Sequence, residues 1–353
     1  MTPNRTRLRL RRVGGKTGLL VGLLPVVVAT AIAGTITNPS RVRPCAREYP
    51  TGASGGLHIA LGADGMLYLT ASMADRILRF DPDTHETRSL PLPKGTVPHD
   101  IVRGPDGKLW FDGLSGRIGN LDPATRKVTI VAQLPPGREP HDLAWSGGFL
   151  YVAELEPGRL ARFDPERGAV AEFAGGLPPR NRIHSMRAVG GYLWTSLSNG
   201  NALARFNPGK HRFDKLVHMP IRDSGPRDLT YVPSRHSIYF TLFAANRIGR
   251  YDLSTGRLTL YRTPVKPISL ADAESLRQGF EKLTFINKSA DQRSVWATTF
   301  YGEVVRLDLA THKVTTVHCG ITFPAATAGL ATDAKGRLWV NEAFPARIAL
   351  IRP

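Results

Sequence analysis

Three histidines recur in this 353-residue chain at nearly equal intervals: 42 residues separate His99 from His141, and 43 residues separate His141 from His184. An imidazole near neutral pH can accept a proton from carbon or from water, so the three rings are candidate catalytic groups. Glu139 lies two residues before His141, and both side chains therefore point to the same side of an extended chain. The regular interval predicts that a repeated fold brings the three histidines to one place.

Carboxylates and cations accompany the histidines. Glu154 and Glu156 follow the next strand along the chain, and with Glu139 they could hold a divalent cation or orient an imidazole. The corresponding positions in two later repeats are Arg227 and, within one residue, Lys282, which are candidate substrate-binding residues. The alternative interpretation is that these polar side chains only hydrogen-bond one another and water.

Seven copies of a four-residue phrase set the interval between these candidates. Each copy has an apolar residue, an aromatic residue and two more: LYLT, LWFD, LYVA, LWTS, IYFT, VWAT and LWVN. Successive copies are 42, 41, 43, 45, 57 and 43 residues apart. A period near 40 with strand-like segments and turn residues is typical of a β-propeller blade. The sequence therefore predicts an all-β, seven-bladed β-propeller of four-stranded blades.

The two ends of the chain are predicted to complete one blade together. The last copy, ARIALIRP, ends after the third strand of its blade, which would leave a sheet edge exposed. The segment AREYPTG (46–52) is similar to outer strands elsewhere in the chain, such as RLTLYRTP. We expect this N-terminal segment to supply the missing strand and close the ring.

A helical insertion is predicted between blades five and six. The spacing there is 57 residues, whereas the other spacings are 41 to 45 residues. The extra residues fall within 263–283, and Ser269 followed by LADAESLRQGF is typical of a capped short helix. The insertion should lie on the same face as the histidines, either as a flap over a pocket or as a decorative loop.

The N-terminus is typical of an exported protein. Residues 1–16 carry six cations and no acid, and residues 17–40 carry no charge. This pattern predicts a signal peptide or N-terminal membrane anchor over 1–40, with the propeller over 41–353. Ala31-Ile32-Ala33 offers a cleavage site before Gly34, but the uncut stretch is long enough to span a bilayer. We expect a secreted, periplasmic or outward-facing membrane-anchored protein.

Charge and cysteine content add expectations about partners and cross-links. The formal net charge is +18, and +12 is left once the six cations of the leader are removed. Such a chain could contact anionic envelope polymers or simply present a basic solvated surface. No aromatic and basic cluster indicates nucleic acid, and we expect a monomer. An exported pair of cysteines, Cys45 and Cys319, favours a disulfide bond, but an offset of four residues between their strand positions argues against one, and we expect the unbridged alternative.

The chain resembles the virginiamycin B lyase family, the streptogramin-inactivating lyases, which are seven-bladed propellers. The blade phrase of that family survives here as PHDIVRGPDGKLWFDGLSGRIG. The family carries a PH dipeptide in one blade, an E-P-H tripeptide in the next, and a glutamate after the W-F motif. This chain has Pro98-His99, then Glu139-Pro140-His141, then Glu154 or Glu156.

The resemblance implies roles for these residues. His141 would be the general base, Glu139 and Glu154 or Glu156 would be carboxylates associated with magnesium or another divalent cation, and His99 would be a supporting acid or an orienting group. His184 stands in the next blade, where the family has a tyrosine. The constellation lies in blades two to four here, whereas it lies near the C-terminus in the lyases.

Three functions are compatible with this sequence. The first is an exported, metal-assisted lyase that opens a cyclic or esterified small-molecule substrate by α-proton abstraction and elimination. The second is a lactone hydrolase similar to the gluconolactonase propellers, in which the cation activates water. The third is a non-catalytic propeller that binds the cell envelope.

Overall fold

The computed structural model describes residues 45–179, 181–264, 283–299, 302–317, 320–322 and 325–352. These residues form 28 strands, arranged as seven four-stranded antiparallel sheets in a ring. The predicted seven-bladed β-propeller is therefore confirmed. Two short 3-10 turns, Ser72–Ala74 and Pro233–Arg235, are the helical elements among the described residues.

The strands follow one another in chain order. The first fifteen are β1 (Ala46–Pro50), β2 (Gly56–Leu61), β3 (Leu67–Ala71), β4 (Arg76–Phe80), β5 (Thr87–Pro91), β6 (Pro98–Arg103), β7 (Leu109–Gly113), β8 (Arg117–Leu121), β9 (Val128–Gln133), β10 (Pro140–Ser146), β11 (Phe149–Glu154), β12 (Arg159–Asp164), β13 (Ala169–Phe173), β14 (Ile183–Val189) and β15 (Tyr192–Leu197). The others are β16 (Ala202–Asn207), β17 (Arg212–His218), β18 (Pro226–Val232), β19 (Ser237–Leu242), β20 (Arg247–Asp252), β21 (Leu258–Arg262), β22 (Leu283–Lys288), β23 (Ser294–Thr299), β24 (Val304–Asp308), β25 (Val314–Val317), β26 (Thr327–Thr332), β27 (Leu338–Glu342) and β28 (Arg347–Ile351).

The blades follow this order with one exception. Strands β2 to β5 form blade one, and each later set of four forms the next blade, so the inner strands are β2, β6, β10, β14, β18, β22 and β26. Blade seven consists of β26, β27, β28 and β1. Neighbouring inner strands contact one another around the whole ring and so enclose a central channel.

The aromatic residue of the repeated phrase packs between blades. All seven of these side chains are at most 4% exposed: Tyr68, Trp110, Tyr151, Trp194, Tyr239, Trp296 and Trp339. They lie on the second strand of each blade and contribute to apolar clusters at the blade interfaces. The hydrophobic effect at these interfaces holds the ring together, which explains why the aromatic position repeats.

Aspartate recurs at the turn between the third and fourth strands because its carboxylate caps the turn. In blade two, Oδ1 of Asp122 accepts hydrogen bonds from the backbone N–H groups of Ala124 (2.8 Å) and Thr125 (3.2 Å). The same contact pattern occurs at Asp81, Asp164, Asp252 and Asp308. This series is turn chemistry.

The N-terminal strand closes the ring, as predicted. Strand β1 pairs antiparallel with β28, with Ala46 opposite Ile351 and Pro50 opposite Arg347. Tyr49 is 8% exposed and packs against the rings of Phe80 and Trp339. The strand therefore closes a sheet edge and also contributes to the interface with blade one.

Cys45, just before this strand, is disulfide-bonded, and the chain has two cysteines. The expectation that no bridge forms is therefore wrong. That expectation counted an offset along one strand, whereas β1 and the outer strand of blade six belong to different sheets. The other cysteine, Cys319, lies outside the described residues.

Several predicted segments also lie outside the described residues. These are the leader over 1–40 and most of the insertion over 263–283, including its expected helix and Lys282. The division at residue 40 and the helical insertion stay predictions. Within the part of the chain that the structure describes, no helix is long and apolar enough to cross a membrane.

Candidate active site

An extra residue interrupts the pairing of the inner strand at the same place in all seven blades. In blade two, Pro98 pairs with Gly113 and Ile101 pairs with Phe111, so three steps on the inner strand match two on its neighbour. The other six blades have the same one-residue bulge. A bulge redirects side chains, so two successive residues of each inner strand can both face the channel.

The bulges define two rings of side chains near the start of the inner strands. We call the upper ring the residues directly after the first paired residue: Leu57, His99, His141, His184, Arg227, Thr284 and Ala328. We call the lower ring the residues that follow them: His58, Asp100, Asp142, Ser185, Asp228, Phe285 and Gly329. The upper ring lies nearer the face where the chain enters the inner strands.

The three predicted histidines are brought together in the upper ring. The ring centroids of His99 and His141 are 4.0 Å apart, and those of His141 and His184 are 4.1 Å apart. All three residues are buried, with exposed fractions of 6 to 9%. The three imidazoles form one contiguous cluster across blades two, three and four.

Burial keeps these imidazoles neutral. It lowers the pKa of His99 to about 3, with a further lowering from the positive charge of His58. The pKa values of His141 and His184 are also well below the ordinary range, first because of burial and then because of neighbouring histidines and Arg227. A neutral imidazole has one nitrogen with a free lone pair, and the other nitrogen's hydrogen bond decides which one.

The tautomer of His141 follows from its hydrogen bond. Nδ1 of His141 lies 2.9 Å from the backbone carbonyl oxygen of His184. A carbonyl oxygen can only accept, so Nδ1 carries the proton and donates it. Nε2 of His141 is then the nitrogen with the free lone pair.

His141 donates to the backbone carbonyl of the upper-ring residue in the next blade. In most of the other blades the fourth residue of the repeated phrase donates this hydrogen bond. In blades one, four, five and six this residue is a buried threonine or serine whose hydroxyl donates to the carbonyl of the upper-ring residue in the next blade. The donors are Thr70, Ser196, Thr241 and Thr298, and the acceptors are His99, Arg227, Thr284 and Ala328. In blade three the fourth residue is Ala153, which has no hydroxyl. The His184 carbonyl is thus available to the ring of His141.

Blade two has Asp112 at the fourth position. Its Oδ1 accepts from the backbone N–H of Asp100 at 2.7 Å, as the hydroxyl of Thr241 accepts from Asp228 in blade five. Burial and the charge of Asp100 raise the pKa of Asp112 well above its usual range. The raised pKa favours the neutral acid, whose O–H group corresponds chemically to the hydroxyls at the equivalent positions.

The lower ring holds an ion pair between blades one and two. Nδ1 of His58 lies 2.8 Å from Oδ1 of Asp100, whose Oδ2 accepts from the backbone N–H of Leu143 in blade three. Burial lowers the pKa of His58, but the Asp100 carboxylate outweighs it and raises that pKa to about 9. Burial raises the pKa of Asp100, and the charge of His58 overcomes this and lowers it to about 2.

Arg187 connects three blades just below the lower ring. Its Nη1 lies 3.2 Å from Oδ2 of Asp142, and its Nη2 lies 3.1 Å from Oδ1 of Asp228. Oδ2 of Asp228 accepts from the backbone N–H of Ile286 at 2.8 Å. Burial raises the pKa of Asp142 to about 7 against the lowering effect of Arg187, with Asp100 and Asp228 adding to the rise.

Sequence reasoning missed the lower ring because it assumed a regular strand. Asp100, Asp142 and Asp228 each directly follow an upper-ring residue, and in a regular strand neighbouring side chains point to opposite faces. The bulge removes this alternation. The available signal was the recurrence of aspartate in the segments PHDI, PHDL and PRDL.

The three predicted glutamates do not form a common ligand set. Glu154 is fully buried, and its Oε2 lies 3.4 Å from Nε of Arg138. Burial and the neighbouring Glu172 carboxylate raise the pKa of Glu154 to about 7.

Glu139 and Glu156 lie beside each other, and Glu156 is paired with an arginine. Oε1 of Glu156 lies 2.6 Å from Nε of Arg182. Burial, and then the charge of Glu156, raise the pKa of Glu139. Among the described residues, no group of three or more histidine, cysteine, aspartate or glutamate side chains could hold a metal ion. As arranged, the three glutamates do not fit a shared cation, and the predicted magnesium ion stays a prediction.

The two predicted substrate-binding cations have different outcomes. Arg227 lies in the upper ring beside the histidines, its guanidinium 4.8 Å from the centroid of the Phe243 ring. Burial lowers the pKa of Arg227 to about 10, so it is still a cation at neutral pH. In blade six the upper-ring position is Thr284, two residues after Lys282, so the sequence alignment was displaced there.

Comparisons with known proteins identify the fold. No protein-family model and no curated protein matches the chain. Virginiamycin B lyase from Staphylococcus aureus is similar in structure, with a TM-score of 0.75 and 19% identity over 87% of this chain and 99% of that chain. A catalytically inactive variant of the S. aureus lyase with quinupristin has a TM-score of 0.74 and 19% identity over the same shares.

A third solved structure comes from another class of protein. The extracellular domain of the hybrid two-component system BT4673 from B. thetaiotaomicron has a TM-score of 0.68 and 14% identity, over 87% of this chain and 40% of that chain. At these identities the likeness is one of fold, and one fold can carry unrelated functions. The resemblance to the streptogramin lyases is confirmed as a shared seven-bladed propeller.

Proposed function

We propose that this protein is an exported lyase that opens a cyclic or esterified small molecule by elimination, with His141 as the general base. The observation that carries the proposal is the fixed tautomer of His141. Its Nδ1 proton is donated to the His184 carbonyl, which leaves Nε2 to accept a proton. The lowered pKa of His141 keeps this nitrogen unprotonated near neutral pH.

The proposed reaction is a β-elimination. The C–H bond α to a carbonyl breaks, and its proton goes to Nε2 of His141. The electron pair forms a carbon–carbon double bond as the C–O bond at the β carbon breaks, and a carboxylate or alkoxide leaves with the electrons of that bond. Proton transfer to a positioned imidazole is ordinary general-base catalysis.

Arg227 is the group in the upper ring that can stabilise negative charge. Charge develops on the carbonyl oxygen as the proton leaves, and a cation in a buried site lowers the barrier by several kcal/mol. Arg227 is close enough to lower the pKa values of both His141 and His184. We assign to Arg227 the enolate-stabilising role that the family resemblance implies for a divalent cation.

His99 and His184 support His141 in this proposal. His99 has a pKa of about 3, so it cannot serve as a general acid near neutral pH. Its ring instead packs against His141 and restricts its orientation. His184 contributes its carbonyl oxygen and a ring on the other side.

Export is part of the proposal. It is supported by the cationic and then uncharged leader, and by the disulfide bond at Cys45, since disulfides persist in oxidising compartments. The N-terminal sequence of the protein isolated from its host tests this. A mature chain that begins at Gly34, or a membrane-bound chain with residues 17–40 intact, supports export, and a full-length soluble chain in the cytoplasm contradicts it.

The lyase is tested with a panel of cyclic esters and lactones that begins with quinupristin, assayed in water enriched in ¹⁸O. Elimination gives a ring-opened alkene of unchanged mass, whereas a lactone hydrolase adds water and incorporates ¹⁸O. We expect His141→Ala to abolish turnover and the exposed control His218→Ala to leave it unchanged. Turnover by His141→Ala, or ¹⁸O in every product, would refute the lyase.

A further inference from the structure

A cavity lies in the channel, apart from the three upper-ring histidines. Its volume is about 540 Å³, within the usual range for small-molecule sites. It is lined by the second halves of the inner strands of blades six, seven, one and two, and by the turn after β22. Because these strands begin at the histidine face, the cavity extends towards the opposite face. None of the three upper-ring histidines lines it.

The deep end of this cavity is charged. His58, Asp100, Arg187 and Asp228 line it, and each belongs to the networks described above. The two carboxylates are therefore already occupied by His58 and Arg187, and by backbone N–H groups. Little negative charge is left to meet a ligand.

Lys288 adds a cation at the side of the cavity. Lys288 is one of the lining residues, and it forms no ion pair with any residue that the structure describes. Burial, and then the charge of Arg187, lower the pKa of Lys288. A buried cation whose charge no carboxylate neutralises favours the entry of an anion.

Part of the wall is apolar. Ile59, Leu61 and Val102, which are partly exposed, contribute this apolar surface in blades one and two, and Asn287 and Thr332 add polar groups beside it. Contact with such a wall favours a ligand with a hydrocarbon body. A cavity with a polar end and an apolar part of its wall orients a ligand that has one polar end and a hydrocarbon body.

We propose that this cavity binds a small carboxylate with an apolar body, with the carboxylate near Lys288 and Arg187 and the hydrocarbon part against the wall of blades seven, one and two. This site is separate from the proposed lyase site, and neither proposal depends on the other. A carboxylate suits the positions because planar charged oxygens pair well with guanidinium and ammonium groups.

The test is calorimetric titration of the mature protein with acetate, butyrate and hexanoate at one ionic strength, with inorganic phosphate for comparison. Each added methylene should tighten binding about fourfold while the cavity has room. Equal affinities across the series, affinity for phosphate equal to that for hexanoate, or no heat with hexanoate at millimolar concentration would each overturn the proposal.

A variant pair locates the site. Lys288→Gln should weaken hexanoate binding about tenfold, because it removes a charged hydrogen-bond donor. Lys127→Gln changes an exposed lysine far from the cavity and should have no effect. Unchanged circular dichroism and melting temperature would show that both variants fold. Folded Lys288→Gln with undiminished affinity would place the ligand elsewhere and refute the site.

Discussion

The ring of His141 donates a hydrogen bond from Nδ1 to the backbone carbonyl of His184, in the neighbouring blade, at 2.9 Å. In four other blades the equivalent carbonyl accepts a hydrogen bond from a hydroxyl on the second strand, as the Thr284 carbonyl accepts from Thr241. The histidine takes over this contact in the one described blade where the fourth residue of the phrase is alanine, Ala153. The tautomer of the His141 imidazole thus depends on the absence of a hydroxyl at Ala153.

The first prediction concerns this missing hydroxyl. Ala153→Ser should supply a donor to the His184 carbonyl, as Ser196 does for Arg227. His141 would then lose the contact that fixes its tautomer, and we expect kcat to fall about tenfold, a general-base effect reduced rather than abolished. Nitrogen NMR of the imidazole should show a mixture of tautomers. Thr298→Ala is the control, since it removes the equivalent hydroxyl in blade six.

The control variant, Thr298→Ala, should lower stability without lowering kcat. Thr298 donates to the carbonyl of Ala328, which lies far from the histidines along the ring, so its loss should leave kcat unchanged. Its stability should fall by about 1 kcal/mol, the usual contribution of a hydrogen bond. If Ala153→Ser retains full activity and a single Nδ1–H tautomer, Ala153 has no positioning role.

The second prediction concerns the pH dependence of turnover. A base must be unprotonated, so activity rises with pH through the pKa of His141. Burial lowers that pKa well below 6.5, so kcat/KM should already be on its plateau at pH 6.5. An unburied imidazole would instead be half-protonated there. A pH–rate profile with its acidic inflection at 6.5 or above would contradict His141 as the base in this environment.

The fold was predictable because its signals repeat. Seven copies of an aromatic residue at the blade interfaces give seven independent indications of one architecture, and the missing strand at the C-terminus identified the role of residues 46–50. The upper-ring histidines followed from the same register. Because the phrase repeats, equivalent residues in different blades could be assigned from the repeat spacing and did not depend on one local pattern.

The lower ring was not predictable by the same reasoning. His58, Asp100 and Asp142 face the channel because a bulge shifts the side-chain alternation, and the recurrent aspartate is a signal only once that bulge is known. The side-chain contacts of the glutamates could not be predicted for a different reason. Arginines that are distant in sequence, such as Arg138 beside Glu154, compete for the carboxylates, and contacts of this kind depend on tertiary structure.

The third prediction concerns ring closure. A chain that begins at Gly55 lacks β1, which covers the edge of β28 and inserts Tyr49 between blades seven and one. It should melt well below a chain that begins at Gly34, with a loss of at least a few kcal/mol from the buried tyrosine, the lost strand pairing and the lost disulfide bond of Cys45. Calorimetric melting of both proteins measures this. Equal melting temperatures would show that β1 does not stabilise the ring.

The fourth prediction concerns a buried carboxyl in blade seven. Glu342 is 1% exposed and lies beside Glu48, whose carboxylate is 3.3 Å from Nη1 of Arg347. Burial, and then the charge of Glu48, raise the pKa of Glu342 to about 8 from an ordinary value of 4.5. Between these two pH values the folded state binds more protons than the unfolded state, so this residue's contribution to stability falls as pH rises.

Glu342→Gln should remove this dependence, because the amide is neutral at every pH and nearly the same size as the protonated acid. We expect the free energy of unfolding of the variant and the parent to be similar at pH 5. At pH 8 the variant should be more stable, by an amount on the order of a few kcal/mol. Denaturant melts at both pH values measure the difference in the free energy of unfolding between variant and parent. The histidines contribute equally to the pH dependence of both proteins, so their contribution cancels in this difference. Glu86→Gln, at an exposed carboxyl, should show no such change with pH. If Glu342→Gln is no more stable than the parent at pH 8, the Glu342 carboxyl is not held protonated in the folded protein.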